Sequence, residues 1–431
     1  MQRRDFLGKV GGVAAVTTLF GPGAVQTVQA ATRYTSNLNP QEAARDESFW
    51  REIQQAFSVP RGIVNLDNGC TCPAPRVVTE AMVRYSWQQE EAPCYTSEEI
   101  LWPRVHTVRA DLARLFGCDE EELAIVRNTT EALDIVLLGL ELARGDEVVT
   151  TTQDYWAMLD ALNQRSRRDG IRVKLVKIPT RPASMDELTS AFERAITPKT
   201  KLILLSHPVN LTGQFFPVKD ICRMAHRKGV EVAVDGAHSF AHTDFKVADL
   251  ECDYYGTSLH KWLLGPIGTG LLYVRRDKIG KVWPLFPCPE KRRESISKFH
   301  FYGTSPPAPH LAVGEALAFH NGIGPKRKEE RLRYLTNYWA SRIRSRPNVR
   351  FHTSFAPGMS CGLATFEIGG VDPVALTQYL WKQHRILVQS IVHEEFKGVR
   401  VTPNVYTTLN ELDKFCEAVE HVAKRGLPKS G

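Results

Sequence analysis

From Ile63 to Arg276 the chain alternates short apolar runs with longer segments whose apolar residues recur at helical spacing. Leu123-Ala124-Ile125-Val126 leads into residues 130–143, and Glu147-Val148-Val149-Thr150 into residues 157–168. Val173-Lys174-Leu175-Val176 is followed, after a loop, by residues 185–196. Leu202-Ile203-Leu204-Leu205 precedes residues 218–228, and Val230-Glu231-Val232-Ala233-Val234 follows at once. Short β-branched runs bounded by Gly, Pro and Asp predict buried strands. Their alternation with helices predicts a mainly parallel sheet covered on both faces. In such sheets ligands sit at the carboxyl ends of the strands, so the residues just after each apolar run are the candidates for chemistry. After His310 the pattern changes. It predicts a long polar helical stretch over residues 311–346, a strand over 363–368, a helix over 373–384, the short run Val399-Arg400-Val401 and a helix over 411–425. The predicted organisation is an arm (31–62), a large domain (63–310) and a smaller C-terminal α/β domain (311–431).

Composition narrows the class without deciding it. With 43% hydrophobic and 24% charged residues over 431 positions, the chain is neither disordered, collagenous nor a multi-spanning membrane protein. The net charge of +7 is small beside 55 basic and 48 acidic residues and is only a weak argument for a nucleic-acid partner, and none is expected. Lys291-Arg292-Arg293 and Lys326-Arg327-Lys328 are each followed by acidic residues and read as solvated helix faces.

The first thirty residues are different material. Arg3-Arg4-Asp5-Phe6-Leu7 precedes an apolar stretch interrupted by glycines, a proline and threonines, and Val28-Gln29-Ala30 places small residues at a cleavage site. This is the order of a cleavable twin-arginine export signal, too weakly apolar to anchor the chain in a membrane. The expectations are periplasmic localisation, the twin-arginine translocon as a partner during export, and a mature chain of about +5. Proteins exported already folded often carry a cofactor. Nine cysteines are then compatible with folding in a reducing compartment, and no spacing among them suits a structural zinc site.

The strand run ending at Val234 delivers Asp235-Gly236-Ala237-His238, a carboxylate aimed at the ligand crevice. Thr257-Ser258-Leu259-His260-Lys261-Trp262 follows. A lysine set among hydroxyl, imidazole and indole neighbours is partly desolvated, which lowers its pKa toward that of an amine nucleophile able to form a Schiff base.

These two motifs, in this order, resemble the class V aminotransferases, pyridoxal-phosphate enzymes of fold type I. Within that family the resemblance is to the branch containing isopenicillin N epimerase-like proteins. More narrowly, an exported member resembles periplasmic enzymes that modify the acyl group of the siderophore pyoverdine. The resemblance implies a large domain with a mainly parallel sheet flanked by helices, a smaller C-terminal α/β domain, and pyridoxal 5′-phosphate as cofactor. It also implies roles for particular residues. Lys261 would hold the cofactor and move protons at the substrate carbon, and Asp235 would pair with the pyridinium nitrogen. His238 and Asn210 would contact the phenolic oxygen, and Tyr155 would stack on the ring. Thr129 and Thr130 would seat the phosphate at a helix start, with Ser258 and His260 completing the cup. Gly303 and Thr304 would reach the phosphate of the other subunit, which implies a homodimer. Arg400 would grip a substrate α-carboxylate, and Asn68 and Gly69 would line the substrate pocket.

Cysteine desulfurases of this fold carry a catalytic cysteine shortly before the carboxylate arginine. Here that stretch, residues 388–396, has none, which argues against persulfide chemistry. Cys70 and Cys72 read as small buried residues. Gly265-Pro266-Ile267-Gly268-Thr269-Gly270 has the wrong spacing for a dinucleotide fingerprint and precedes its strand, which argues against a nicotinamide enzyme. A binding protein that kept the fold is the non-enzymatic alternative. Transamination is the expected reaction, with racemisation or β-elimination as alternatives. Export favours an amino-acid-containing secreted metabolite, specifically the glutamyl group of pyoverdine.

Overall fold

The computed structural model describes residues 38–428, so the export signal expected at 1–30 lies outside the described residues. After a single helical turn at Pro40–Ala43, the described chain forms helix α1 (Glu47–Gln55), capped by the Asp46 carboxylate, and crosses a two-residue strand β1 (Val64–Asn65). Helices α2 (Arg76–Glu91) and α3 (Trp102–Phe116) follow. Strand–helix alternation then sets in with β2 (Leu123–Val126), α4 (Thr129–Gly139), β3 (Glu147–Thr151), α5 (Trp156–Asp169), β4 (Arg172–Val176) and α6 (Met185–Ala195). It continues through β5 (Thr200–Ser206), α7 (Val218–Arg227), β6 (Glu231–Asp235), β7 (Tyr254–Ser258) and β8 (Gly270–Val274). These strands form one seven-stranded sheet in the order β2-β8-β7-β6-β5-β3-β4. Only β8 runs antiparallel to its neighbours, so the mainly parallel sheet predicted from the apolar runs is present. Separate apolar clusters pack on its two faces, as a doubly covered sheet requires.

The rest of the chain supplies α8 (Ala308–Ile323), α9 (Pro325–Arg344), β9 (Val349–Phe351), β10 (Ala364–Ile368), α10 (Pro373–His384), β11 (Ile386–Leu387), β12 (Gln389–Val392), β13 (Lys397–Val401) and α11 (Leu409–Arg425). A four-stranded antiparallel sheet, β12-β13-β10-β9, packs with α9, α10 and α11 around a second core.

Three expectations are corrected. The stretch 311–346 is two helices, broken at Gly324-Pro325 where glycine takes φ +93° and proline offers no N–H. Its first half is not polar: α8 buries Leu311, Ala312, Val313, Ala316 and Leu317 in the large-domain core beside α2 and α3. The division between the cores therefore falls at Gly324. At the other boundary, Val64 and Leu66 belong to the second core, because β1 pairs in parallel with β11. The chain crosses between domains at residues 67–75. Finally, the 326–328 cluster is not a solvated face. Lys326 is exposed and pairs with Glu329 and Glu330, but Lys328 is 0% exposed.

Candidate active site

The chemistry-bearing residues meet at the carboxyl ends of neighbouring strands. Register places Ser206 opposite Asp235, and Asp235 opposite Gly256, so the ends of β5, β6 and β7 lie side by side. Helix α4 sits hard against this edge. A Cβ on Gly270 would stand 2.6 Å from the Asn128 Cα, and one on Gly256 would stand 2.9 Å from the Ala132 Cβ. That close approach brings the first turn of α4 onto the end of β7. Ser258 Oγ accepts the Thr129 N–H at 3.0 Å and lies 2.7 Å from Thr129 Oγ1. Thr130 is the next residue of the same turn. Two hydroxyls at a helix N-terminus form a cup for an anion such as phosphate. His260 lies beside it with Nδ1 3.2 Å from the Thr269 carbonyl oxygen, and burial holds its pKa down to about 4.

Lys261 follows directly. Burial lowers the pKa of its amine, the Asp235 carboxylate opposes that shift, and Arg400 adds to it. Asp235 is buried, and burial pushes it up to about 6 although it accepts the Ala237 N–H at 3.0 Å. A cation beside Asp235 would hold it ionised. His238 is buried, and its pKa is held well below the ordinary value by burial and by Lys261 and Arg400. Tyr155 caps α5 and shares its surroundings with Asp235 and Arg400. Its turn is fixed by the buried Asp154. That carboxylate accepts from the hydroxyls of Thr150 (2.6 Å), Thr151 (2.9 Å) and Ser206 (2.5 Å) and from the Thr151 N–H (2.8 Å). The buried Oδ1 of Asn210 has no hydrogen-bond partner among the described residues.

Arg400 reaches this group from the second sheet. The β12–β13 hairpin docks on the Tyr155 turn through Glu395, which accepts from Thr152 Oγ1 at 2.6 Å and from Gln153 Nε2 at 2.9 Å. Arg400 is 3% exposed. It donates from Nη1 to the Asn210 carbonyl at 3.0 Å and from Nη2 to Asp67 Oδ1 at 2.9 Å, and its Nε is unpaired among the described residues. Gly69 lies under the guanidinium; a Cβ there would sit 3.1 Å from its Cζ.

Asn68 is a correction. It is fully buried, its amide donates to the carbonyls of Thr402 (2.8 Å) and Asn65 (3.1 Å), and its oxygen accepts from Tyr406 (2.5 Å). It braces the crossover beneath Arg400 and presents no free polar atom to a ligand. Cys70 is exposed rather than buried, whereas Cys72 is buried as expected. Gly303 and Thr304 are not gathered at Lys261 within one chain. They line a separate cavity of about 610 Å³ with Trp102, Arg109, His300 and His310.

The sequence did not single out Asp67, Asp154, His242 or Lys328. Asp67 signals nothing by itself, because its partner Arg400 is 333 residues away. Asp154 stood next to the chosen Tyr155, between threonines that now bond it.

The buried unpaired Oδ1 of Asn210, the half-buried amine of Lys261, the carboxylate of Asp235 and the hydroxyl cup of Thr129 and Ser258 together fit pyridoxal phosphate. The family model for aminotransferase class V matches residues 64–415, and the chain belongs to that family. Isopenicillin N epimerase from Amycolatopsis lactamdurans is 31% identical over 394 residues, covering 87% of this chain and 99% of its own. A probable cysteine desulfurase from Methanothermobacter thermautotrophicus is 26% identical, covering 87% and 98%. Among solved structures, C-DES with glycine covalently linked to its PLP cofactor has a TM-score of 0.77 at 23% identity, covering 86% and 98%. The fold is that of the PLP-dependent fold type I enzymes, and the cofactor of this chain is pyridoxal 5′-phosphate.

Proposed function

We propose that this chain removes the α-proton from an amino-acid moiety of an exported metabolite and transfers its amino group. The proposed substrate is the glutamyl side group of the siderophore pyoverdine. The observation that carries the α-carbon chemistry is the placement of Lys261 beside Asp235 and Arg400 at the carboxyl edge of the sheet, where burial lowers the pKa of its amine against the opposing pull of Asp235. Bound pyridoxal phosphate supplies an electron sink that acidifies a proton on the substrate carbon. Thr129 and Ser258 bind its phosphate, Asp235 holds a proton on its ring nitrogen, and His238 and Asn210 face its phenolic oxygen. Tyr155 covers the ring and keeps water off that face. Lys261 Nζ would anchor the cofactor and, once freed, would take the α-proton and deliver it to the cofactor side, so that the substrate leaves as a keto acid and its amino group passes to a second 2-oxo acid. Arg400 orients the substrate by its carboxylate.

Epimerisation is the second reading. It is favoured by the likeness to isopenicillin N epimerases over 99% of the Amycolatopsis chain. The likeness to cysteine desulfurases carries less weight, because residues 388–396 contain no cysteine. Localisation in the periplasm through the twin-arginine translocon, supported by Arg3-Arg4, and a homodimer that brings Gly303 and Thr304 to the partner's phosphate complete the proposal.

Deleting the gene and weighing the secreted siderophores tests the substrate: an unchanged acyl group would remove pyoverdine from the proposal. Purified enzyme releasing a keto acid supports transamination; inversion without keto acid supports epimerisation.

A further inference from the structure

Directly behind His238 lies a group of buried polar side chains that bind no ligand in the proposed mechanism. Trp262, 0% exposed, donates its indole Nε1–H to His238 Nδ1 at 3.3 Å. Indole has no acceptor nitrogen, so His238 Nδ1 must be the bare, accepting nitrogen. A neutral imidazole then carries its proton on Nε2, which makes no hydrogen bond among the described residues.

Trp262 is itself held by two further residues. His242 stacks on its ring, with centroids 3.7 Å apart and planes at 13°. That imidazole lies 2.6 Å by Nδ1 from the His238 carbonyl oxygen and accepts the Gly362 N–H on Nε2 at 2.7 Å, which fixes its own tautomer. Lys328, from the first turn of α9, donates to the Trp262 carbonyl oxygen. The side chains acting electrostatically on His238 are Lys261, Arg400 and His242. None is an acid that would draw a second proton onto its ring.

We propose that Trp262 is a positioning residue that locks His238 as an Nε2–H donor toward the cofactor's phenolic oxygen. His242, stacked on the indole, and Lys328, bonded to the Trp262 carbonyl from beyond Gly324, hold the residue in place. The proposal rests on the placement of His238 at that oxygen. Without the indole N–H the imidazole is free to take the other tautomer, and the phenolic oxygen loses a donor. A phenolate without its donor binds a nearby proton more tightly.

The test is the pH midpoint of the visible absorbance of the cofactor-loaded protein. Trp262→Phe should raise it by about one pH unit, a tenfold gain in proton affinity. Gln at position 238 carries an amide donor that needs no tautomer, so His238→Gln with Trp262→Phe should match His238→Gln alone. A midpoint left in place by Trp262→Phe, while His238→Ala moves it, overturns the role of Trp262. A midpoint unmoved by His238→Ala overturns instead the placement of His238. Should Trp262→Phe fail to fold, 15N-histidine spectra of the native protein decide, with His238 assigned by its loss in His238→Gln. An unprotonated Nδ1 supports the proposal, and a protonated Nδ1 contradicts it.

Discussion

Replacing Asp67 by Asn should strengthen carboxylate binding while slightly weakening the fold. Asp67 Oδ1 accepts from Arg400 Nη2 at 2.9 Å, and their side chains are 18% and 4% exposed. A hydrogen bond to a charged group contributes about 1.5–3 kcal/mol. Asn keeps an oxygen for Nη2–H and removes only the charge, so the expected loss of stability is about 1 kcal/mol. A substrate carboxylate on the open side of the guanidinium would lie about 6 Å from the Asp67 carboxylate. At an effective dielectric of about 20 that repulsion is roughly 3 kcal/mol. Screening leaves about half of it, which corresponds to about a tenfold fall in Kd. The assay is titration of the loaded protein with a non-reacting carboxylate such as propanoate, followed by cofactor absorbance. Asp67→Ala should act in the opposite direction, because it also releases the Arg400 fork from its orientation. Equal weakening by Asn and Ala would show that charge plays no part, and no effect from either would remove Asp67 from the site.

Ser258→Ala removes both contacts to Thr129 and should weaken retention of pyridoxal phosphate about tenfold, with pyridoxal itself unaffected. Equilibrium dialysis with the two compounds would show equal losses if Ser258 were not at the phosphate. Asp235 gives a pH-dependent prediction for cofactor-free protein. Its folded pKa of about 6 exceeds the ordinary 3.8, so the native chain holds this proton more tightly than the unfolded chain. Its contribution is full below about pH 4 and is lost as pH rises through about 6, a fall of roughly 3 kcal/mol. Asp235→Asn should lack that fall in urea unfolding and exceed wild type in stability at pH 8, while binding cofactor less well. Parallel stability curves for the two proteins would refute the assignment.

What the sequence made legible were features carried by neighbours along the chain. Four-residue apolar runs announced the strands, and Asp235 and Lys261 stood in local contexts unusual enough to read. The polar appearance assigned to 311–346 came from the basic run at 326–333, which masked an apolar helix ending at Ile323. Gly324-Pro325 was the signal for the break. The family resemblance placed Asn68 in the substrate pocket, but a resemblance fixes a position and not the direction of its amide, and this one is taken up by Thr402 and Tyr406. Asp67 with Arg400, and Lys328 with Trp262, are contacts across 333 and 66 residues. A single sequence contains no local pattern for pairs of that kind, because tertiary packing creates them. The exchange of β1 into the second core was hidden for the same reason.

The decisive measurement is deuterium incorporation at the α-carbon of the glutamyl substrate in deuterated water, compared between wild type and Lys261→Ala. Both proteins should be saturated with pyridoxal phosphate. Wild type should incorporate α-deuterium, and Lys261→Ala should fall to the rate of free cofactor while still retaining pyridoxal phosphate non-covalently. Exchange by Lys261→Ala at the wild-type rate would contradict the assignment of the proton to Lys261.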